Sequence, residues 1–228
     1  MQLEHYFLLF IIYSFIGWLI EVINTLIIEG KFVNRGFLVG PCCPIYGVGA
    51  LLIIFTLSQY SKHPLVLFVM SVVLCCILEY FASYLMEKIF KTRWWDYSDK
   101  KFNINGRICL ETATLFGLLG LIIVYIINPV FSYILMIIPD IVITILFIIT
   151  LLLFILDFTV SFKIITSIKN INLKMAKDST EEITAIVKNV ILNKSKLSKR
   201  LVKAFPHFKV STSWLNKYRK KLNEKLKK

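Results

Sequence analysis

Four carboxylates stand inside otherwise apolar runs of this 228-residue chain: Glu21, Glu79, Glu111 and Asp157. In hydrocarbon such a group is costly unless it is paired, hydrated or engaged with a ligand, so each is a candidate for binding or relaying a cation or proton. Each also has polar or small neighbours on its own helical face. Ser14, Gly17, Trp18, Asn24 and Thr25 accompany Glu21, while Ser71, Cys75, Ser83 and Glu87 fall at i, i+4 steps with Glu79. Arg107 precedes Glu111 by one turn, which reads as an i, i+4 pair, and Thr114, Gly117 and Gly120 allow close helix packing. Arg35, in Asn34-Arg35-Gly36, and Arg107, in Asn105-Gly106-Arg107, are placed to clamp an anionic group, with Gly36, Gly40 and Gly47 letting backbone approach it. Asn34, Tyr46, Asp96 and Asn105, from the same segments, complete the candidate set. A blander reading makes these residues interhelical hydrogen bonds or ion pairs, such as Glu21 or Glu79 with Arg35 or Arg107, that hold a bundle together. Likewise Trp94, Trp95 and Tyr97 read as an interfacial aromatic belt, and Asp96 and Asn105-Gly106 as turn formers.

Other chemistries find little support. Cys42-Cys43, Cys75-Cys76 and Cys109 have neither a CxxC nor a zinc spacing, and Cys42, Cys43 and Cys109 fall near the reducing side, so no disulfide is expected. His5, His63 and His207 lie far apart, and neither a metal nor a cofactor is expected. The sequence has no Gly-x4-Gly-Lys-Ser/Thr, so nucleotide binding would need a separate subunit.

The elements that must position these residues follow from composition. With 57% hydrophobic and 18% charged residues and a mean hydropathy of +0.72, the chain is not a water-soluble domain. About 20 helical residues cross roughly 30 Å of hydrocarbon, and runs of that order occur at Tyr6 to Ile28, Pro64 to Met86, Ile108 to Ile127 and within Val130 to Phe162. Pro139-Asp140 divides the last run, placing a span at Ile141 to Phe162 and leaving Phe131 to Ile138 as a short apolar piece at the outer interface. A further short span lies between Gly40 and Tyr60. It opens on Gly40-Pro41-Cys42-Cys43-Pro44, which predicts unwound first turns, and such backbone survives at membrane depth only where it lines a site. Tyr6 to Ile28 is expected to be an uncleaved span rather than a signal peptide, because no basic residue precedes it and it carries Glu21. The fold class is thus an all-α polytopic membrane bundle of about five helices.

Charge sets the orientation. Residues 1–162 hold 9 Lys+Arg against 10 Asp+Glu, and residues 163–228 hold 18 against 4. With five spans, the successive connecting segments carry 0, 2, 1, 6, 0 and 18 Lys+Arg, so an N-out, C-in topology puts 26 of 27 inside. Glu21 and Glu79 then lie 7 residues from the inner ends of their spans, about 10 Å deep, and all four acids fall in the cytoplasmic half. The organisation expected is a transmembrane domain at 1–162 and a basic cytoplasmic tail at 163–228. In the tail, Ser179 and Glu182 form a capping box before an amphipathic run from Ile183 to Phe205, and a second basic helix follows Pro206. Such helices suit anionic lipid headgroups; nucleic acid is not an expected partner, because no stacking platform accompanies the charge.

Several segments together resemble the type IV ABC-transporter permease family of bacteria: Tyr13-Ser14-Phe15-Ile16-Gly17-Trp18 with Glu21, Asn34-Arg35-Gly36-Phe37-Leu38 with Gly40-Pro41, Cys43-Pro44-Ile45-Tyr46-Gly47, Glu79, Trp95-Asp96-Tyr97-Ser98 and Asn105-Gly106-Arg107. The resemblance covers roughly residues 5–125, leaves out the tail and carries no catalytic residues over. It implies a multi-pass protein of the plasma membrane with a transport role, a separate ATPase subunit and, for so few spans, a homodimer to enclose a path. The function expected is therefore a permease component with an acid- and arginine-lined site opening to the cytoplasm. Two alternatives stand beside it: a membrane enzyme acting on a lipid or lipid-linked group, with a glutamate as base and the arginines as phosphate clamp, and a membrane anchor or scaffold.

Overall fold

Proline sets where two of the helices begin. Pro44 and Pro64 occupy the first turns of α2 (Pro44–Leu57) and α3 (Pro64–Phe90), where a missing N–H leaves no helical bond unmade. The computed structural model describes residues 2–174, 199–200, 203–205 and 209–210. Around those two helices it places α1 (Gln2–Glu29), α4 (Leu110–Ile122), α5 (Asn128–Ile137) and α6 (Asp140–Lys174). Lys91, in the left-handed region at φ 60°, ends α3 and returns its N–H to the Glu87 carbonyl. Beyond it, strand β1 (Thr92–Arg93) pairs antiparallel with β2 (Lys209–Val210).

Four segments are long and apolar enough to cross a membrane, namely Gln2–Glu29, Pro64–Phe90, Leu110–Ile137 and Asp140–Thr166, and Pro44–Tyr60 is a shorter apolar helix. The chain is thus an all-α, multi-pass membrane bundle. Large apolar side chains such as Ile141, Ile148, Leu152 and Leu156 cover its outer surface, as lipid contact requires.

Two boundaries differ from expectation. Phe131 to Ile137 is not a separate interfacial piece but the last part of the fourth span. The Asn128-Pro129 step, which should break that helix, is absorbed by a π-helical turn at Ile123–Ile127, where the Asn128 N–H reaches back to the Ile123 carbonyl. The Asn128 side chain accepts hydrogen bonds from Tyr13 Oη (2.9 Å) and Ser132 Oγ (3.2 Å), tying the wide turn to α1. The break comes instead at Ile138-Pro139. Secondly, α6 runs past Phe162 to Lys174, so Asp157 sits deep along the helix rather than near its end.

The depth of α2 is the feature that shapes the interior. Tyr6 and Phe55 meet edge-on at 4.9 Å near one end of the antiparallel α1–α2 pair, and at the other end the Cys43 N–H bonds to the Ser14 carbonyl at 2.9 Å. Ser14 is midway along α1. After leaving α1 at Glu29, the chain therefore re-enters the bundle as non-helical backbone and begins α2 at half depth. Glycine permits the approach: a Cβ on Gly17 would overlap the Tyr46 ring, and one on Gly47 would overlap Ser14 and Phe10.

Two buried clusters fill the half of the bundle nearer Tyr60. Leu8, Leu9, Tyr13, Ala50, Leu135 and Ile143 form one, and Ile53, Leu57, Leu67 and Val124 the other. The opposite half, where the connection between α3 and α4 lies, buries Leu38, Phe90, Trp94 and Cys109 and also holds a cavity. The predicted amphipathic run, its capping box and the final basic helix fall almost wholly outside the described residues.

Candidate functional site

The re-entrant segment has to satisfy its backbone without a helix. Asp157 on α6 accepts the Val39 N–H at 2.8 Å through Oδ1 and the Gly40 N–H at 2.9 Å through Oδ2, and Ser161 Oγ accepts a second bond from Val39 N. Asn34 donates to the Val39 carbonyl (2.9 Å) and accepts from Trp18 Nε1 (2.7 Å). A side chain at Gly40 would press against Asp157, its Cβ only 2.7 Å from Oδ2. From beyond α6, Arg200 reaches the Gly36 and Phe37 carbonyls at 3.4 and 3.5 Å, and Arg35 returns a bond to the Ala204 carbonyl at 2.9 Å. Asp157, one of the four acids noticed in the sequence, is thus a clasp for the loop.

Held this way, the segment walls a chamber of about 480 Å³ together with α1, α2, α3, α4, the connection after α3 and Phe205. Its lining is mainly aliphatic and aromatic. Glu21 and Glu79 enter it from α1 and α3, and each is met by a tyrosine. Tyr46 Oη donates to Glu21 Oε1 at 2.7 Å, and Tyr97 Oη donates to Glu79 Oε1 at 3.3 Å. Burial, then the neighbouring Glu79 and Glu21, pushes the Tyr97 phenol well above its usual range, so it remains a protonated donor.

The two acids differ in their second oxygen. Glu21 Oε2 lies 3.6 Å from Arg35 Nε, an ion pair with both side chains partly exposed. Glu79 is 8% exposed, and its Oε2 has no hydrogen-bond partner among the described residues. Asp96 also lines the chamber, but its carboxylate accepts from Ser98 and lies 3.6 Å from Arg93 Nη1, so it closes a turn.

The remaining candidates lie elsewhere. Arg107 pairs with Glu87 at 2.7 Å, donates to Ser83 Oγ at 3.0 Å and sits 5.6 Å from the centres of the Tyr80 and Tyr84 rings. It is not on the Glu111 helix, because α4 starts only at Leu110 behind a Cys109 cap closed by Thr112. Glu111 instead takes Lys100 Nζ at 2.7 Å in an exposed pair. Asn105, at φ 53°, donates to Tyr80 Oη at 2.9 Å and with Gly106 forms the left-handed turn. Asn34 braces the re-entrant loop. The chamber therefore brings together Glu21, Arg35, Tyr46, Glu79 and Asp96, and leaves Asn34, Asn105, Arg107 and Glu111 outside its lining.

Sequence reasoning set Tyr97 aside as a belt aromatic, and the α6 clasp was not anticipated. Tyr97 belongs to the Trp95-Asp96-Tyr97-Ser98 segment of the family resemblance, but its partner was hidden, since only the fold of residues 91–109 turns it towards Glu79. Asp157 did carry a signal, a lone acid in an apolar run, but its partners are backbone groups more than 100 positions earlier.

A helical bundle with a half-depth re-entrant segment, and with two glutamates on the wall of a chamber beside it, defines a multi-pass membrane protein. The chain belongs to the family described as "Putative ABC-transporter type IV", whose model matches residues 8–162, and it is a membrane transport component of that kind. No curated protein and no solved structure matches the chain. Phe205, which lines one side of the chamber, and Arg200 and Ala204, which bond the re-entrant segment, lie beyond the matched residues.

Proposed function

We propose that this chain is the membrane-spanning subunit of a transporter of the plasma membrane, and that its chamber receives the transported group from the cytoplasmic side, at Glu79 backed by the Glu21–Arg35 pair. The observation that carries this reading is the Glu79 side chain: almost fully buried on the wall of a 480 Å³ chamber, with one carboxylate oxygen that has no hydrogen-bond partner among the described residues. The family likeness supports the transport role and a separate ATPase partner, since the sequence has no phosphate-binding loop of its own. The distribution of Lys and Arg supports the inward-facing mouth. A second copy of the chain would complete the path across the membrane, and the Lys-rich tail, the cytoplasmic unit beyond residue 162, would rest on anionic headgroups.

The test is access. In a cysteine-free background, Ala82→Cys, on the chamber wall, should react with a membrane-impermeant maleimide in inside-out vesicles and stay unmodified in right-side-out ones. Reaction from the outer face alone, or from neither face, would sink the proposal.

A further inference from the structure

Charge accounting within the chamber names its ligand. Arg35 is matched by Glu21, and Asp96 by Arg93, so among the described lining residues Glu79 is the acid without a cationic partner. A carboxylate enclosed by apolar side chains gains most from a ligand that supplies the missing positive charge. An anion would find no unpaired cationic side chain among the described lining residues. An inorganic cation fits no better, because its lost water shell would have to be replaced by several oxygen donors, and Glu79 offers one free oxygen with a phenol beside it. Among the described residues no cluster of three or more His, Cys, Asp or Glu is placed to hold a metal.

The rest of the wall favours carbon. Phe37, Tyr46, Trp94, Trp95, Tyr97 and Phe116 surround the space, and ring faces attract an organic cation as well as its apolar substituents. The volume is that of a site for one small organic molecule. We infer that the chamber binds a lipophilic organic monocation, its charge on Glu79 and its apolar groups against the aromatic wall. This inference rests on the chamber being the ligand site proposed above and narrows the class of compound that enters it.

Tetraphenylphosphonium and tetraphenylborate share a shape and carry opposite charges, which makes them the probe pair. With the full chain in detergent micelles, and empty micelles as blank, equilibrium dialysis should show saturable uptake of the phosphonium and none of the borate. Glu79→Gln should weaken phosphonium binding by at least about tenfold, while Glu29→Gln, at the exposed end of α1, should bind as wild type. Because Glu79→Gln could also disturb folding, Ala82→Trp provides a second arm: it keeps the carboxylate but fills the space, and it should weaken uptake at least as much. Thermal midpoints of all variants identify any that are unfolded. Equal binding of both ions, preference for the borate, or phosphonium binding that survives either substitution overturns the inference. No saturable binding of either ion, with Ala82→Cys reactive from the cytoplasmic face, refutes the organic-cation class and leaves the chamber reading standing. An unreactive Ala82→Cys refutes that reading itself.

Discussion

The carboxylates in the membrane-spanning helices serve different ends, and their partners tell them apart. Asp157 spends both oxygens on backbone N–H groups of the re-entrant loop, Glu87 neutralises Arg107, and Glu79 has a buried oxygen with no hydrogen-bond partner among the described residues. Removing an acceptor from buried backbone donors costs about 1–3 kcal/mol for each group left unsatisfied. Asp157→Ala leaves the Gly40 N–H without its acceptor, while the Val39 N–H keeps Ser161 Oγ, and should therefore lower stability by about 1–3 kcal/mol, with Asp157→Asn, which retains one acceptor oxygen, falling between it and wild type. Thermal unfolding in detergent decides the matter, and an unchanged midpoint for Asp157→Ala would refute the clasp. What could be read from the sequence divides along the same line. An acid in an apolar run is conspicuous wherever it lies, so Glu21, Glu79 and Asp157 stood out. Their roles did not, because each role depends on which groups face the acid across helices. Arg107 shows this: Glu87, on the same face of α3 as Glu79 and Ser83, captures it two turns before it could reach Glu79.

Glycine at the α1–α2 contact fixes how deep α2 sits. Gly47 lies against Ser14 and Phe10, and Gly17 lies against the Tyr46 ring, so the helices touch backbone to side chain. Gly47→Val should push α2 away from α1 and destabilise the protein by about 1–3 kcal/mol through overpacking. Gly49→Ala, whose added Cβ would rest 3.4 Å from Leu78 Cδ2, should be tolerated. If the two variants melt together, α2 is not held by this contact. The five apolar elements were legible from length and hydropathy, as was an unwound approach to α2. The course of the fourth span was not, because a proline normally signals a break and the π-helical turn that accommodates Pro129 is set by packing against Tyr13. The halt of the coil at Cys43 was equally hidden, since Pro44 can either end a loop or start a helix.

As a whole, the molecule is a helical bundle with a chamber on the side of the α3–α4 connection, and the charge distribution of the sequence gives that side an expected cytoplasmic orientation. That arrangement makes orientation testable. Lys62→Cys, in the short connection after α2, should be labelled by an impermeant maleimide on intact cells, and Lys101→Cys, between α3 and α4, only after the membrane is opened. The reverse pattern would invert the topology and turn the chamber outward. The clasp on the re-entrant loop also has a meaning for assembly in time. The chain is made from its N-terminus, yet the carboxylate that satisfies Val39 and Gly40 belongs to the last of the described membrane helices, 118 and 117 positions later. Contacts within α1 and α2 can seat the start of α2 early, but until α6 enters the membrane the Gly40 N–H lacks its acceptor, so the loop is fully satisfied only when the last helix arrives.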